Sequence, residues 1–163
     1  MDIGCCADGN VTDVKTSSSR RLIALAALSI ATAMFAQAPD TWTPKELLAP
    51  ADLAARLQKG DKPVMVYVGP ASMYRAKHIP AALDAGMASK PEGIAGLLAA
   101  VKGKPTDTEV IVYCGCCPMK VCPNIRPAIK ALKEAGFQNV RLLELPTRFN
   151  DDWVAKGYPA VAE

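Results

Sequence analysis

Histidine is nearly absent: the only one in 163 residues is His78. No second Cys/His pair stands outside the one cysteine-rich stretch described below, so a conventional zinc module is not written here. Charge of one sign is also scarce. Nineteen Lys and Arg face sixteen Asp and Glu, a formal net of +3. The basic residues are scattered apart from Arg20-Arg21, which excludes the basic footprint of nucleic-acid binding. Aromatics make up 6% of the chain. Trp42, Tyr67, Tyr74, Tyr113, Trp153 and Tyr158 therefore read as core or pocket wall, not as a binding box. No apolar run reaches the ~20 residues of a membrane-spanning helix. No internal repeat is present.

Half the residues are hydrophobic, enough for a core in one domain of ordinary size. Residues 22–36 are apolar or small, broken only by Ser29 and Thr32. Arg20-Arg21 precede them and Ala36-Gln37-Ala38 follow. A basic flank, a short apolar centre and a small-residue exit predict a secretory signal. Residues 1–38 are thus expected to be an extension plus signal peptide, cleaved after Ala36 or Ala38. The mature domain is expected at 39–163, in the bacterial periplasm. An uncleaved N-terminal anchor facing the periplasm is the alternative, and only then would the chain contact a membrane.

Cysteine is what the sequence does have. Cys5 and Cys6 lie before the signal and would leave with it. The other four, Cys114, Cys116, Cys117 and Cys122, fall within one short stretch. They cannot staple distant parts of a fold, so they point to chemistry or metal binding. Glu109 to Tyr113 reads as a buried strand, and Ile125 to Ala135 as an amphipathic helix stopped by Gly136. The thiols therefore sit between a strand end and a helix start. Free N–H groups at a helix start favour an anion, and a thiolate is one. On this reasoning Cys114 is expected to have a lowered pKa.

The rest of the chain predicts alternating elements. Thr43-Pro44 reads as a helix start, and 50–57 as a short helix ended by Gly60. Residues 63–68 read as a buried parallel strand. Residues 71–76 give a helical turn or two, and 78–82 a short strand or bend. Residues 91–101 predict a helix, 139–145 a third strand and 149–156 a last helical piece. Such alternation implies a parallel sheet covered on both faces. Ligands bind beyond the carboxyl ends of such strands, and Cys114 stands at one.

In their order along the chain, several segments resemble the rhodanese family: Val64 to Val68; His78-Ile79-Pro80-Ala81-Ala82; Val110-Ile111-Val112-Tyr113-Cys114; Leu132 to Val140; and Trp153-Val154-Ala155-Lys156-Gly157-Tyr158-Pro159. The resemblance covers about 42–160. It implies a three-layer α/β/α domain with a central parallel sheet. It also implies a sulfurtransferase whose cysteine takes sulfane sulfur from a small donor such as thiosulfate. The resulting persulfide would pass sulfur to cyanide or a thiol. Cys114 matches the catalytic place, and Gly115, Cys116, Cys117, Lys120 and Arg126 are expected to form the loop cradle. His78 becomes a structural turn residue. The resemblance calls for no cofactor and no metal, and the domain is expected to be a monomer. Two departures stand out. Tyr67 and Gly69 occupy the places of the family's Asp-x-Arg, and the loop is longer, with three further cysteines and two prolines.

Those extra thiols leave several readings open. They could resolve or relay a persulfide. Cys117 and Cys122 could close a disulfide, in a thiol–disulfide or sensing module. With Cys114 they could hold a soft metal. Some could simply pack as small apolar residues, in a scaffold kept for partner binding. A phosphatase loop is excluded because Lys120 stands where Cys-x5-Arg places its arginine.

Overall fold

The computed structural model describes residues 42–163. The signal segment, Cys5, Cys6 and the 38/39 boundary lie outside the described residues. Five strands, β1 (Leu47–Leu48), β2 (Val64–Tyr67), β3 (Leu83–Asp84), β4 (Val110–Tyr113) and β5 (Val140–Leu143), form one sheet in the order β1-β5-β4-β2-β3. Every pairing is parallel. Tyr67 stands opposite Tyr113, so β2 and β4 end level with each other.

Side chains alternate across the sheet. Val66, Val110, Val112 and Leu142 enter one core with α3 (Pro91–Ala100) and α4 (Ile125–Glu134). Met65, Tyr67, Ile111 and Tyr113 enter the other, with α1 (Pro50–Gln58), α2 (Ala71–Ala76) and α5 (Phe149–Asp152). Both faces are covered, which is why β4 shows no polar alternation: all four of its residues are buried. α4 owes its place to its apolar stripe, Ile125, Ala128, Ile129 and Leu132, all buried. Trp153 is fully enclosed, and its Nε1 donates to the Pro159 carbonyl at 2.8 Å. Truncating it to Ala should cost about 3–5 kcal/mol.

Two expectations need correction. Thr43-Pro44 does not start a helix. The Thr43 amide and hydroxyl both donate to the Glu46 carboxylate, at 3.0 and 2.8 Å, which closes a single turn. Leu47–Leu48 then pairs with the edge of β5. The sheet also has five strands where the sequence marks three outright, because β1 and β3 are two residues each and too short for any periodicity to appear. The last helical piece is α5 followed by a 3₁₀ turn at Val154–Lys156.

His78 is structural. Its ring stacks on Tyr74 at 3.8 Å, Nδ1 lies 2.8 Å from the Tyr74 carbonyl, and its backbone bridges to Val161.

Candidate active site

β4 delivers Cys114 to the carboxyl edge of the sheet. The next residue, Gly115, has φ +75°, a conformation that side-chained residues adopt only at a cost. A Cβ there would lie 2.5 Å from Phe149 Cβ. This reversal folds the loop back over the strand end. The Phe149 amide donates to the Gly115 carbonyl at 3.1 Å, and the Met119 amide to the Leu145 carbonyl at 3.2 Å. The cysteine loop is thereby bound to the segment that leaves β5. A 3₁₀ turn, Met119–Val121, then brings the chain back to α4.

The four thiols meet as one cluster, and all are free. Cys116 is its hub. Its Sγ lies 3.1 Å from Cys114 Sγ, 3.3 Å from Cys117 Sγ and 4.0 Å from Cys122 Sγ. The sulfurs of Cys114, Cys116 and Cys122 all lie within 4.8 Å of one another, a spacing that a soft cation could bridge. Asn124, 2% exposed, points into the cluster. Its Nδ2 donates to Cys114 Sγ at 3.5 Å and reaches Cys116 Sγ at 3.9 Å, and its Oδ1 accepts the Ser89 amide at 3.0 Å.

Cys114 and Cys122 are 2% and 4% exposed. The negative charge of the cluster belongs on Cys122, whose pKa falls to about 5. The Cys114 thiol is the largest cause. The amides of Asn124 and Ile125, at the start of α4, add to it, and burial opposes both. Cys114 moves the other way, far above the ordinary thiol range. Interaction with Cys122 and then burial hold its proton, and the Cys116 amide offsets this only in part. Burial, followed by its thiol neighbours, pushes Cys117 up to about 12. The lowered pKa expected at Cys114 is thus found at Cys122. The helix start acts on the thiol beside it, not on the one at the strand end.

Cys114 nevertheless reaches an opening. With Gly115 and Cys116 it lines a cavity of about 200 Å³ whose other walls include Tyr67, Lys77, Arg148 and Phe149. A larger hollow of about 590 Å³ lies around Leu57, Lys62, Pro63 and Val64. That hollow sits at the entry to β2 and holds no thiol. The cations that the sequence proposed are elsewhere. Lys120 and Arg126 line a third hollow with Trp42 and Glu144, and the Arg126 guanidinium sits 5.2 Å from the centre of the Trp42 ring. The structure instead brings Lys77 and Arg148 to the Cys114 cavity. Sequence reasoning missed both, along with Asn124. For Asn124 a signal existed, an Asn directly before a helix. For Lys77 and Arg148 none did, because only the tertiary fold brings the end of α2 and the chain after β5 to one opening.

No family model matches the chain, and no curated protein matches it. Solved structures do. The rhodanese-like domain of an Anabaena protein is 21% identical, covering 72% of this chain and 80% of that one, with a TM-score of 0.53. The polysulfide-sulfur transferase homodimer of Wolinella succinogenes is 19% identical over 72% of this chain and 78% of that one, at 0.51. A thiosulfate sulfurtransferase of Pseudomonas aeruginosa, also 19% identical, is matched over 72% of this chain but only 20% of its own, at 0.52. Taken with the five-stranded parallel sheet and the cysteine at the end of β4, these similarities give the chain the rhodanese-like fold.

Proposed function

We propose that this chain is a sulfurtransferase that carries sulfane sulfur as a persulfide on Cys114, within the loop cradle of Gly115, Cys116 and Cys117. The observation that carries this reading is the position of the Cys114 sulfur. It lies at the carboxyl end of β4, on the wall of a cavity that also holds Lys77 and Arg148. The sulfurtransferases among its structural neighbours support it. Small anionic sulfur donors suit such an opening, because two cations offset their charge.

The reaction is nucleophilic and covalent. Cys114 passes its proton to Cys122, and its sulfur attacks the outer sulfur of thiosulfate. The S–S bond of thiosulfate breaks, sulfite leaves with the electron pair, and Cys114 holds the persulfide. In the resting cluster the charge sits on Cys122, so the anionic donor meets a neutral Cys114. A thiol or cyanide then accepts the outer sulfur.

The test is sulfite release from thiosulfate, with sulfur loss from polysulfide as a second donor. Reduced wild type should release about one equivalent, and Cys114→Ser should fall at least ~100-fold, to background. Equal release by the variant, or none from either donor by wild type, overturns the reading.

We also propose export. The basic, apolar and small-residue succession at 20–38 supports it. Intact mass of the protein from its own host should begin after Ala36 or Ala38; a full-length mass would rule cleavage out, and its recovery in the cytosolic fraction would rule export out.

A further inference from the structure

The persulfide reading leaves one arrangement unused. A single carrier thiol needs no second sulfur in contact with it, yet Cys116 Sγ stands 3.1 Å from Cys114 Sγ. We propose that Cys116 is a resolving thiol, so that the chain reduces sulfane sulfur to hydrosulfide; this rests on the persulfide at Cys114.

The step balances without an outside reactant. The Cys116 sulfur attacks the inner sulfur of the Cys114 persulfide. The bond between the inner and outer sulfurs breaks. The outer sulfur takes that electron pair and the Cys116 proton and leaves as hydrosulfide. Cys114 and Cys116 remain as a disulfide. The two electrons given up by the thiol pair are those gained by the departing sulfur. A dithiol reductant must return two electrons and two protons before the next turn.

Geometry selects Cys116 over the other thiols. A disulfide bond is ~2.05 Å long, so the sulfurs close by about an ångström. Gly115, with its left-handed backbone, already folds the two cysteines toward each other. Both sulfurs line the same cavity, which gives the hydrosulfide its exit. Cys116 also touches Cys117 at 3.3 Å and Cys122 at 4.0 Å. Thiol–disulfide exchange can therefore carry the oxidation away from buried Cys114 toward half-buried Cys117, where a reductant can reach it.

The experiment is a single turnover of fully reduced full-length chain with thiosulfate or polysulfide, free of added thiol. Hydrosulfide, sulfite (from thiosulfate), free thiols and intact mass are measured together. Wild type should release about one equivalent of hydrosulfide, lose two thiols and show no added sulfur. Cys116→Ser, its fold checked by circular dichroism, is scored per equivalent of sulfite it releases, because Cys116 also lines the cavity. It should retain one sulfur atom in its mass and yield roughly tenfold less hydrosulfide or lower still. The resolving role is overturned if wild type keeps the sulfur stably and yields no hydrosulfide, or if Cys116→Ser yields as much as wild type. It is also overturned if release survives in Cys116→Ser and is lost in Cys117→Ser. The first of these outcomes leaves the carrier role of Cys114 intact. Absence of sulfur uptake and hydrosulfide release in both proteins removes the two readings together.

Discussion

Cys114 closes a strand, and Cys122 lies on the approach to a helix. Both are buried to nearly the same degree, and they share one cluster. Burial alone would raise both pKa values. They part first through their own contact, in which Cys114 keeps the proton and Cys122 the charge; two backbone amides from the start of α4 then add to Cys122, whereas Cys114 receives one, from Cys116. With one of the pair stabilised as an anion, the other is held as its proton donor. The difference teaches that the thiol holding the charge and the thiol at the cavity are separate residues joined by a proton.

The largest effect should come from splitting that pair. Thiolate absorbance followed against pH should show one thiol titrating near pH 5 in wild type. Cys122→Ser should abolish that step. Cys114→Ala should move it up toward the ordinary thiol range near 8.5, because the leading cause of the shift is gone. The signs for stability follow. The folded pKa of Cys122 is depressed, so its contribution is full above the ordinary thiol value and is lost as pH falls through about 5. Cys114 is raised, so its contribution is full below that value and is lost as pH climbs beyond it. Thermal stability should therefore peak in mildly alkaline solution under reducing conditions. A flat profile from pH 5 to 9 would show that the two thiols are not coupled.

Next in size is Gly115, which sets how closely Cys114 and Cys116 approach. Gly115→Ala adds a Cβ in a left-handed conformation and places it 2.5 Å from Phe149 Cβ. A cost of roughly 2–5 kcal/mol is expected, from backbone strain plus overpacking. Denaturant unfolding measures it. A loss below about 1 kcal/mol would mean the loop has another way to turn.

How much of this contrast could be read in the sequence depends on range. The α4 stripe is spaced at helical period, so the helix appeared almost to its ends. β4 is an unbroken apolar run and appeared as well. The cysteine loop was placed correctly between them, and so was the argument that a helix start lowers a thiol pKa. What sequence could not decide was which thiol benefits. That is fixed by how the Gly115 reversal and the Met119–Val121 turn fold the loop back, and neither leaves a periodic trace. Lys120 was placed by its nearness to the cysteines in sequence, yet it lies at the Trp42 hollow, while Lys77 and Arg148 reach the cavity from distant segments.

Asn124→Ala is expected to cost less than the change at Gly115. It removes the acceptor of the Ser89 amide and the donor to Cys114. Ser89 is exposed and the bond part-buried, so its loss costs about 0.5–1.5 kcal/mol. The comparison is sharpened because Asn124 serves the two thiols differently. Its side chain contacts Cys114, while its backbone amide serves Cys122. The variant should therefore keep the acid titration of Cys122 near 5 while losing stability. A rise of that titration by more than about one pH unit would mean that the side chain also positions the start of α4.

The smallest effect compares two cations. Arg148 lines the Cys114 cavity, and Lys120 lines the hollow beside Trp42. A solvent-facing charge contributes ~0.5–1 kcal/mol to an ionic contact, or about two- to fivefold. Arg148→Ala should raise the KM for thiosulfate by that factor, with kcat nearly unchanged, and added salt should narrow the gap to wild type as it screens the charge. Lys120→Ala should leave both constants in place. The reverse pattern would put the donor at the Trp42 hollow. It would then have to reach Cys114 from the α4 side of the sheet, where Trp42 and Met119 pack against the same core as the thiols.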